Sequence, residues 1–399
     1  MNRKTTYLSM LFLFLLPVFS FAQLRIGIIG DQTGSTDLAK SYTVLSEGCQ
    51  AIAAANPDIV LHVGDIVESS QSDSDIKDSF EQAVSYLNVM NIPWYITAGD
   101  HDVNPPNDYT PGTKNTEKAD LFLNLLRKEY SKRALCVIPE KLYYSFDYHG
   151  YHFICLYSED YLRTDPRWGN IFMDKISDEQ FSWLEEDLNN SASAKGIIVL
   201  IHQPMWYNIT GWKRVHNLLR KHHVLAVIAG HFHYNQDEGY TDSIRYIVVG
   251  STGGTIKNAS ENAGGIYHVS LLTLDDNNNI TIQLIPLENY SYDKFSDREN
   301  MDRIQAIDTM LGGIAWTPNA TIKGNPIDIP VNIYSLAKLG GWQLLYKNVS
   351  PGIGVAISNL SLVELNSDTN RPSDLQAMKV QFINEQGHTL WDSMIFGSN

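Results

Sequence analysis

Three short apolar runs in the first quarter of the chain stop on the same kind of residue, and that repetition limits the fold more than any other feature. LRIGIIG (24–30) runs into Asp31, residues 58–64 into Asp65, and residues 93–98 into Gly99-Asp100-His101-Asp102. Between them, residues 37–55 and 76–90 carry apolar side chains at helical spacing. Strand, helix, strand, helix, strand predicts parallel pairing with right-handed crossovers. Sheets of that kind hold their ligands beyond the carboxyl ends of the strands. Asp31, Asp65 and Asp100-His101 are therefore expected at one edge. Any one of these acids, taken alone, is an ordinary turn or cap residue.

The rest of the chain repeats the theme with histidine. After a loop at 104–116, a helix is expected at 117–130, then a hairpin pairing 143–148 with 151–157 around His149-Gly150. Ser177 and Gln180 open a helix over 177–189 with a capping-box pattern. A strand at 196–201 ends in His202, and after a helix at 212–222 another, at 224–229, ends in Gly230-His231-Phe232-His233. Further strands read at 245–249, 266–274 and 280–287, with Gly250–Gly254 a turn rather than a phosphate cradle, because no helix pattern follows it. On this reading the acids and histidines all follow apolar strands of one parallel sheet.

That series has a chemical reason. Two divalent metals about 4 Å apart need a carboxylate to bridge them and oxygen or nitrogen ligands to complete each sphere. The pair lowers the pKa of a water between them and neutralises phosphoryl oxygens during in-line attack. A histidine near the leaving oxygen can donate a proton or stabilise charge.

The series GD, GD, GDHD, H and GHFH resembles that of the calcineurin-like metallophosphoesterases over about residues 24–287. The resemblance implies a binuclear metal site within an α/β fold whose central β-sandwich is flanked by helices. It implies that Asp31 binds the first metal, Asp65 bridges, Asp100, His202 and His231 bind the second, and His233 returns to the first. His101 would be the catalytic histidine beside the leaving group, and Asp102 fits the family's acidic choice after it. The implied activity is metal-dependent hydrolysis of phosphomonoesters or phosphodiesters by a metal-activated hydroxide, without a covalent intermediate. The implied metals are two divalent ions of Mn, Fe or Zn.

Two positions depart from the pattern. Thr33 stands where the family has a histidine, so Gln32, Thr33 or water must complete the first metal's sphere. Asp100 replaces an asparagine and adds negative charge to the second. Glu68 occupies the place where many relatives have an aspartate that orients the catalytic histidine; it is read as holding His101, with a metal-ligand role and a plain surface glutamate as alternatives. Purple acid phosphatases carry a ligating tyrosine there, so the chain does not look like one of them. Substrate contacts are expected from Arg163, Arg167 and Tyr207 on the metal edge. The rival reading is a catalytically degenerate scaffold that binds a ligand or surface.

Residues 1–22 carry Arg3 and Lys4, an apolar run too short to span a bilayer, and Ser-Phe-Ala before Gln23, the pattern of a cleaved export signal. Its loss removes two cations and no acid, taking the formal charge from −15 to −17 and disfavouring nucleic acids and anionic membranes as general partners. The expected destination is periplasmic or extracellular, with a small phosphoester as substrate. No later segment is apolar enough to cross a membrane. Cys49, Cys136 and Cys155 make no disulfide framework or zinc cluster; buried free thiols are expected, with a Cys136–Cys155 pair the alternative. Residues 23–289 form the catalytic domain on this reading, 290–311 a linker helix, and 312–399 a small all-β, sandwich-like domain that would dock to a surface or partner.

Overall fold

The computed structural model describes residues 23–296, apart from 36, 69, 71, 104–116, 161–175, 208–211, 257–260 and 262–263, and beyond these the backbone of the C-terminal strands. The predicted export signal and Arg163 and Arg167 lie outside the described residues.

The opening alternation forms as expected: β1 (Leu24–Ile29), α1 (Leu38–Ala55), β2 (Ile59–His62), α2 (Asp73–Val89) and β3 (Trp94–Ile96), with β1–β2 and β2–β3 parallel. Local chemistry sets the helix ends. Asp37 accepts the Lys40 amide at 3.0 Å, and Asn56 closes α1 in the left-handed region at φ 49°. Ser72 accepts the Asp75 amide at 3.4 Å, so α2 begins earlier than its apolar periodicity indicates. α3 (Asp100–Val103) is one turn, and α4 (Glu117–Lys132) follows. α5 (Asp178–Asn190) starts at Ser177, whose Oγ accepts the Gln180 amide at 3.0 Å. The reciprocal half of the predicted capping box is absent, because the Gln180 side chain bonds the Tyr157 amide and carbonyl at 2.9 and 3.0 Å.

The single parallel sheet is not what forms. The remaining strands of this region are β4 (Tyr144–Tyr148), β5 (Tyr151–Cys155), β6 (Ile197–Leu200), β7 (Val224–Ala229), β8 (Gln236–Thr241), β9 (Ile244–Val248), β10 (His268–Leu274) and β11 (Ile280–Pro286), with α6 (Trp212–Leu219) between β6 and β7. They divide into two mixed sheets, ordered β11-β10-β1-β2-β3 and β4-β5-β6-β7-β9-β8. One apolar cluster joins them, with Ile28, Val60 and Tyr95 from the first and Phe153, Ile198 and Ile228 from the second. This is the two-layer sandwich that the resemblance implied. Period-two and all-apolar runs define strands but carry no information about which strands share a sheet.

Two of the hairpins turn on two residues at positive φ, His149-Gly150 (51° and 84°) and Asp242-Ser243 (48° and 68°), which suit the twist of antiparallel strands. The first is legible as His-Gly. The second pairs β9 with β8, whose sequence QDEGYT lacks an apolar pattern and was not predicted as a strand.

Among the described residues no helix is long and apolar enough to cross a membrane. All three cysteines are free. Burial pushes the Cys49 and Cys155 thiols up to about 12, whereas Cys136 is exposed, contrary to expectation, and lies 2.9 Å from the Tyr95 hydroxyl. Residues 290–296 are not helical, and the rest of the predicted linker helix falls outside the described residues. Among the described residues the C-terminal strands β12 (Ala315–Trp316), β13 (Val331–Ala337), β14 (Trp342–Val349), β15 (Leu375–Ile383) and β16 (Thr389–Gly397) make one sheet, ordered β12-β16-β15-β13-β14. The strands predicted at 355–357 and 360–365 are outside the described residues.

Candidate metal centre

Five strand ends meet at one rim of the sandwich. β1, β2 and β3 deliver Asp31, Asp65 and Asp100 from the first sheet; β6 and β7 deliver His202 and then His231 and His233 from the second. Hydrogen bonds across the rim fix the approach. The Asp31 amide donates to the Gly64 carbonyl at 3.1 Å, the His231 amide to Asp31 Oδ1 at 2.8 Å, and the Thr97 hydroxyl to the Leu156 carbonyl. Only glycine fits at Gly230, where a Cβ would lie 2.5 Å from Asp31 Oδ2.

Asp65, Asp100, His202 and His231 each place one ligand atom within 4.8 Å of all the others, and Asp31, Asp65 and His233 form a second such group. Asp65, the residue expected to bridge, belongs to both. His202 Nε2 stands 3.0 Å from Asp100 Oδ1, 3.3 Å from Asp65 Oδ2 and 3.2 Å from His231 Nδ1, which is itself 2.9 Å from Asp100 Oδ1. Two ligand atoms at right angles around an ion ~2.1 Å from each would be about 3.0 Å apart. The spacing therefore suits a shared cation.

Backbone carbonyls choose the ring tautomers. His202 Nδ1 lies 2.8 Å from the Val63 carbonyl and His233 Nδ1 2.8 Å from that of Thr255. Each carbonyl needs a donor, so Nδ1 carries a proton in both rings and Nε2 is the nitrogen that a metal would take.

The residues present fit a pair of cations on a second count. Asp31 Oδ2 and Asp65 Oδ2 are buried without a hydrogen-bond partner, as are Gln32 Oε1 and Thr33 Oγ1 in the stretch that departs from the family pattern. Gln32 is held by its Nε2, which donates to the Ile66 carbonyl at 2.7 Å. Burial, together with the charges of Asp65 and Asp100 and against the pull of His202, raises Asp31 well above the usual carboxylate range. Burial likewise opposes ionisation of Asp100, but His231 and His202 hold it well below that range. Three carboxylates in one dry site call for positive charge, which bound cations supply.

Four of the proposed ligands adopt left-handed backbone conformations that few non-glycine residues enter: Asp31 (φ 51°), Asp65 (59°), His231 (70°) and His233 (52°). Such strain clusters at functional sites.

His101 lies beside this group, its amide 3.1 Å from Asp65 Oδ1. Burial disfavours its cation, but the charges of Asp65, Asp100 and Glu68 outweigh that and raise its pKa. Glu68 directs its hydrogen bonds to the Gly34 amide, at 3.2 and 3.4 Å, rather than to the His101 ring; it acts on His101 through charge. Its carboxylate belongs to neither ligand group. Tyr207 ends a short turn at Met205–Tyr207, and its side chain, like Arg163 and Arg167, is outside the described residues.

Sequence reasoning overlooked the residues that support the ligands. His62 Nδ1 accepts the Gly64 amide at 3.1 Å, and burial pushes its pKa down to about 3, keeping it neutral. The Gly250–Gly254 turn wraps the Asp31 carbonyl, with Ser251 Oγ donating at 2.6 Å and the Gly254 amide at 2.9 Å. No local pattern marks contacts more than 200 residues apart in the chain.

The family model for calcineurin-like phosphoesterase matches residues 24–235. The chain is 29% identical over 198 residues to tartrate-resistant acid phosphatase type 5 of Oryctolagus cuniculus, covering 46% of this chain and 56% of that one. It is 25% identical over 251 residues to the Mus musculus protein of the same name, covering 57% and 72%. The match to a probable purple acid phosphatase 20 of Arabidopsis thaliana is 27% over 174 residues, covering 39% and 34%. The glutamate at position 68 thus does not prevent similarity to a protein named as a purple acid phosphatase. Among solved structures, a dimetal phosphatase from Danio rerio aligns with a TM-score of 0.47 at 13% identity, covering 65% of this chain and 98% of that one.

Proposed function

The chain belongs to the calcineurin-like phosphoesterase family, and on that premise we propose that it is an exported hydrolase of phosphoric esters working with two divalent metal ions. The observation that carries the reading is the pair of buried ligand groups sharing Asp65, with carboxylate oxygens of Asp31 and Asp65 left unsatisfied at their centre. Asp31, Asp65 and His233 would hold one ion, with Gln32 and Thr33 as nearby oxygen donors; Asp65, Asp100, His202 and His231 would hold the other. When bound, the ions supply Lewis acidity toward phosphoryl oxygens and a lowered pKa for water between them.

The chain's own residues do the rest. His101, beside Asp65 at the rim of the ligand groups, would donate a proton to the leaving oxygen. Glu68 secures the Gly34 amide, and Gly34 leaves open the space in which a Cβ would come within 3.5 Å of His101 Nε2 and 3.4 Å of His233 Cε1. Absence of a side chain there keeps the approach to both rings clear. A degenerate binding scaffold has no comparable support, since both ligand groups are complete enough to hold a cation.

The relatives named acid phosphatases put a phosphomonoester first among the substrates. The test is elemental analysis of the mature protein beside hydrolysis of paired aryl phosphate mono- and diesters with Mn, Zn or Fe. Two metals per chain with turnover, faster on the monoester, is the expected result. One metal or none, without turnover under any supplement, refutes it. Export is tested by following the full-length chain for loss of residues 1–22 in the secreted or periplasmic fraction.

A further inference from the structure

Asp102 is fully buried, follows the proposed catalytic histidine, and belongs to neither metal-ligand group. Its carboxylate instead collects four backbone amides from two turns. Oδ2 accepts from Asp65 at 2.9 Å and Gly99 at 2.8 Å; Oδ1 accepts from Ile66 at 2.8 Å and Val67 at 2.9 Å. Three consecutive N–H groups converging on one anion form a nest, and a nest requires an unusual backbone twist. Asp65 supplies that twist at φ 59°. The fourth amide, from Gly99, lies in the turn that leads to Asp100.

We propose that Asp102 is the positioning residue of the metal pair: its two carboxyl oxygens, each holding two backbone amides, lock the left-handed turn at Asp65 and tie it to the turn bearing Asp100, so that Asp65 and Asp100 keep a fixed spacing. The inference rests on the two-metal reading above. Without these oxygens, four buried amides lose their acceptor and the strained Asp65 backbone has a lower-energy conformation to relax into. An asparagine is no substitute, because one of its two ends is an NH2 that faces two N–H donors. A glutamate keeps the carboxyl group but adds a methylene, so its oxygens reach both pairs of amides only if the turn moves.

The experiment loads the full mature chain with Mn(II) and records electron paramagnetic resonance and Mn content for wild type, Asp102→Asn and Asp102→Glu, with circular dichroism to establish folding. Two Mn ions on wild type with an exchange-coupled signal are expected. Asp102→Asn is expected to give the six-line signal of isolated Mn(II) and a roughly 10–100-fold loss of affinity at the weaker site, the usual cost of removing a group that orients metal ligands. Asp102→Glu is expected to stay folded with altered coupling, and it carries the test if the asparagine variant does not fold. A folded variant of either kind with wild-type coupling and affinity overturns the role of Asp102. A wild type that binds fewer than two Mn ions overturns instead the two-metal reading on which the inference stands. Bulk loss of stability alone does not change the coupling between two ions in protein that remains folded.

Discussion

Gly99→Ala is the sharpest test of how closely the site is packed. A Cβ at Gly99 would lie 2.2 Å from Asp65 Oδ1 and 2.7 Å from the Asp65 amide nitrogen. Ordinary contact begins near ~3.4 Å, so the methyl group displaces the carboxylate by about 1 Å. Neither partner can yield easily: the Asp65 and Gly99 amides are bound to the same Asp102 oxygen, at 2.9 and 2.8 Å. A displacement of ~1 Å at reacting groups costs on the order of 100-fold in rate, or about 2.7 kcal/mol of barrier. The overpacking itself destabilises by roughly 1–3 kcal/mol. Gly27→Ala separates the two effects, since its Cβ would meet Ile52 Cγ2 at 2.9 Å and Cδ1 at 3.2 Å, in the core and away from the metal rim. The assay is kcat on an aryl phosphate with Mn content and a thermal melt for both variants. Both are expected to melt lower, but only Gly99→Ala is expected to lose turnover. A Gly99→Ala protein within threefold of wild-type kcat, with two metals bound, refutes the packing argument.

Removing metal with a chelator relieves no strain and leaves three carboxylates crowded. At a metal concentration ~100 times Kd each ion contributes about 2.7 kcal/mol, so the apo-protein should melt roughly 5–10 °C lower per site in calorimetry; identical melts would count against specific sites. Glu68→Ala, which strips the Gly34 amide of its acceptor and His101 of a nearby charge, is expected to lower kcat/KM about tenfold while both metals remain, as read by steady-state kinetics and elemental analysis. Unchanged activity and metal content would make Glu68 a plain surface residue. Away from the site, His152 bonds Asp187 at 2.9 Å and Asp147 at 2.8 Å. Burial opposes its charge, but these partners raise its pKa above the ordinary value. A raised histidine stabilises fully below its unfolded pKa of ~6.5 and loses that contribution as pH rises through the folded value. His152→Asn should therefore cost more at pH 5.5 than at pH 9, by ~1–2 kcal/mol in urea melts, the worth of a charge-assisted bond; an equal cost at both would sink the assignment.

The acids after β1, β2 and β3 and the histidines after β6 and β7 were readable because each depends on a local event, an apolar run that stops at a polar residue. The helices were readable for the same reason, from periodicity and caps such as Ser177, and the His149-Gly150 hairpin from its turn residues. Which strands share a sheet was not, since Ile198 and Ile28 have the same apolar character whether they lie in one layer or two; the choice was made by what buries most apolar surface once all strands are present. Nor was β8, a polar strand held by its hairpin to β9. The support of the centre was least legible. Asp102 is one acid among 45 Asp and Glu residues until folding brings four amides to it, and Gly253-Gly254 is a glycine pair until it closes over the carbonyl of Asp31. Sequence alone singled out the side chains proposed to bear the chemistry, because reactivity belongs to residue type. Tertiary structure decided their spacing, tautomers and backbone strain, because those depend on contacts between segments that the chain order keeps far apart.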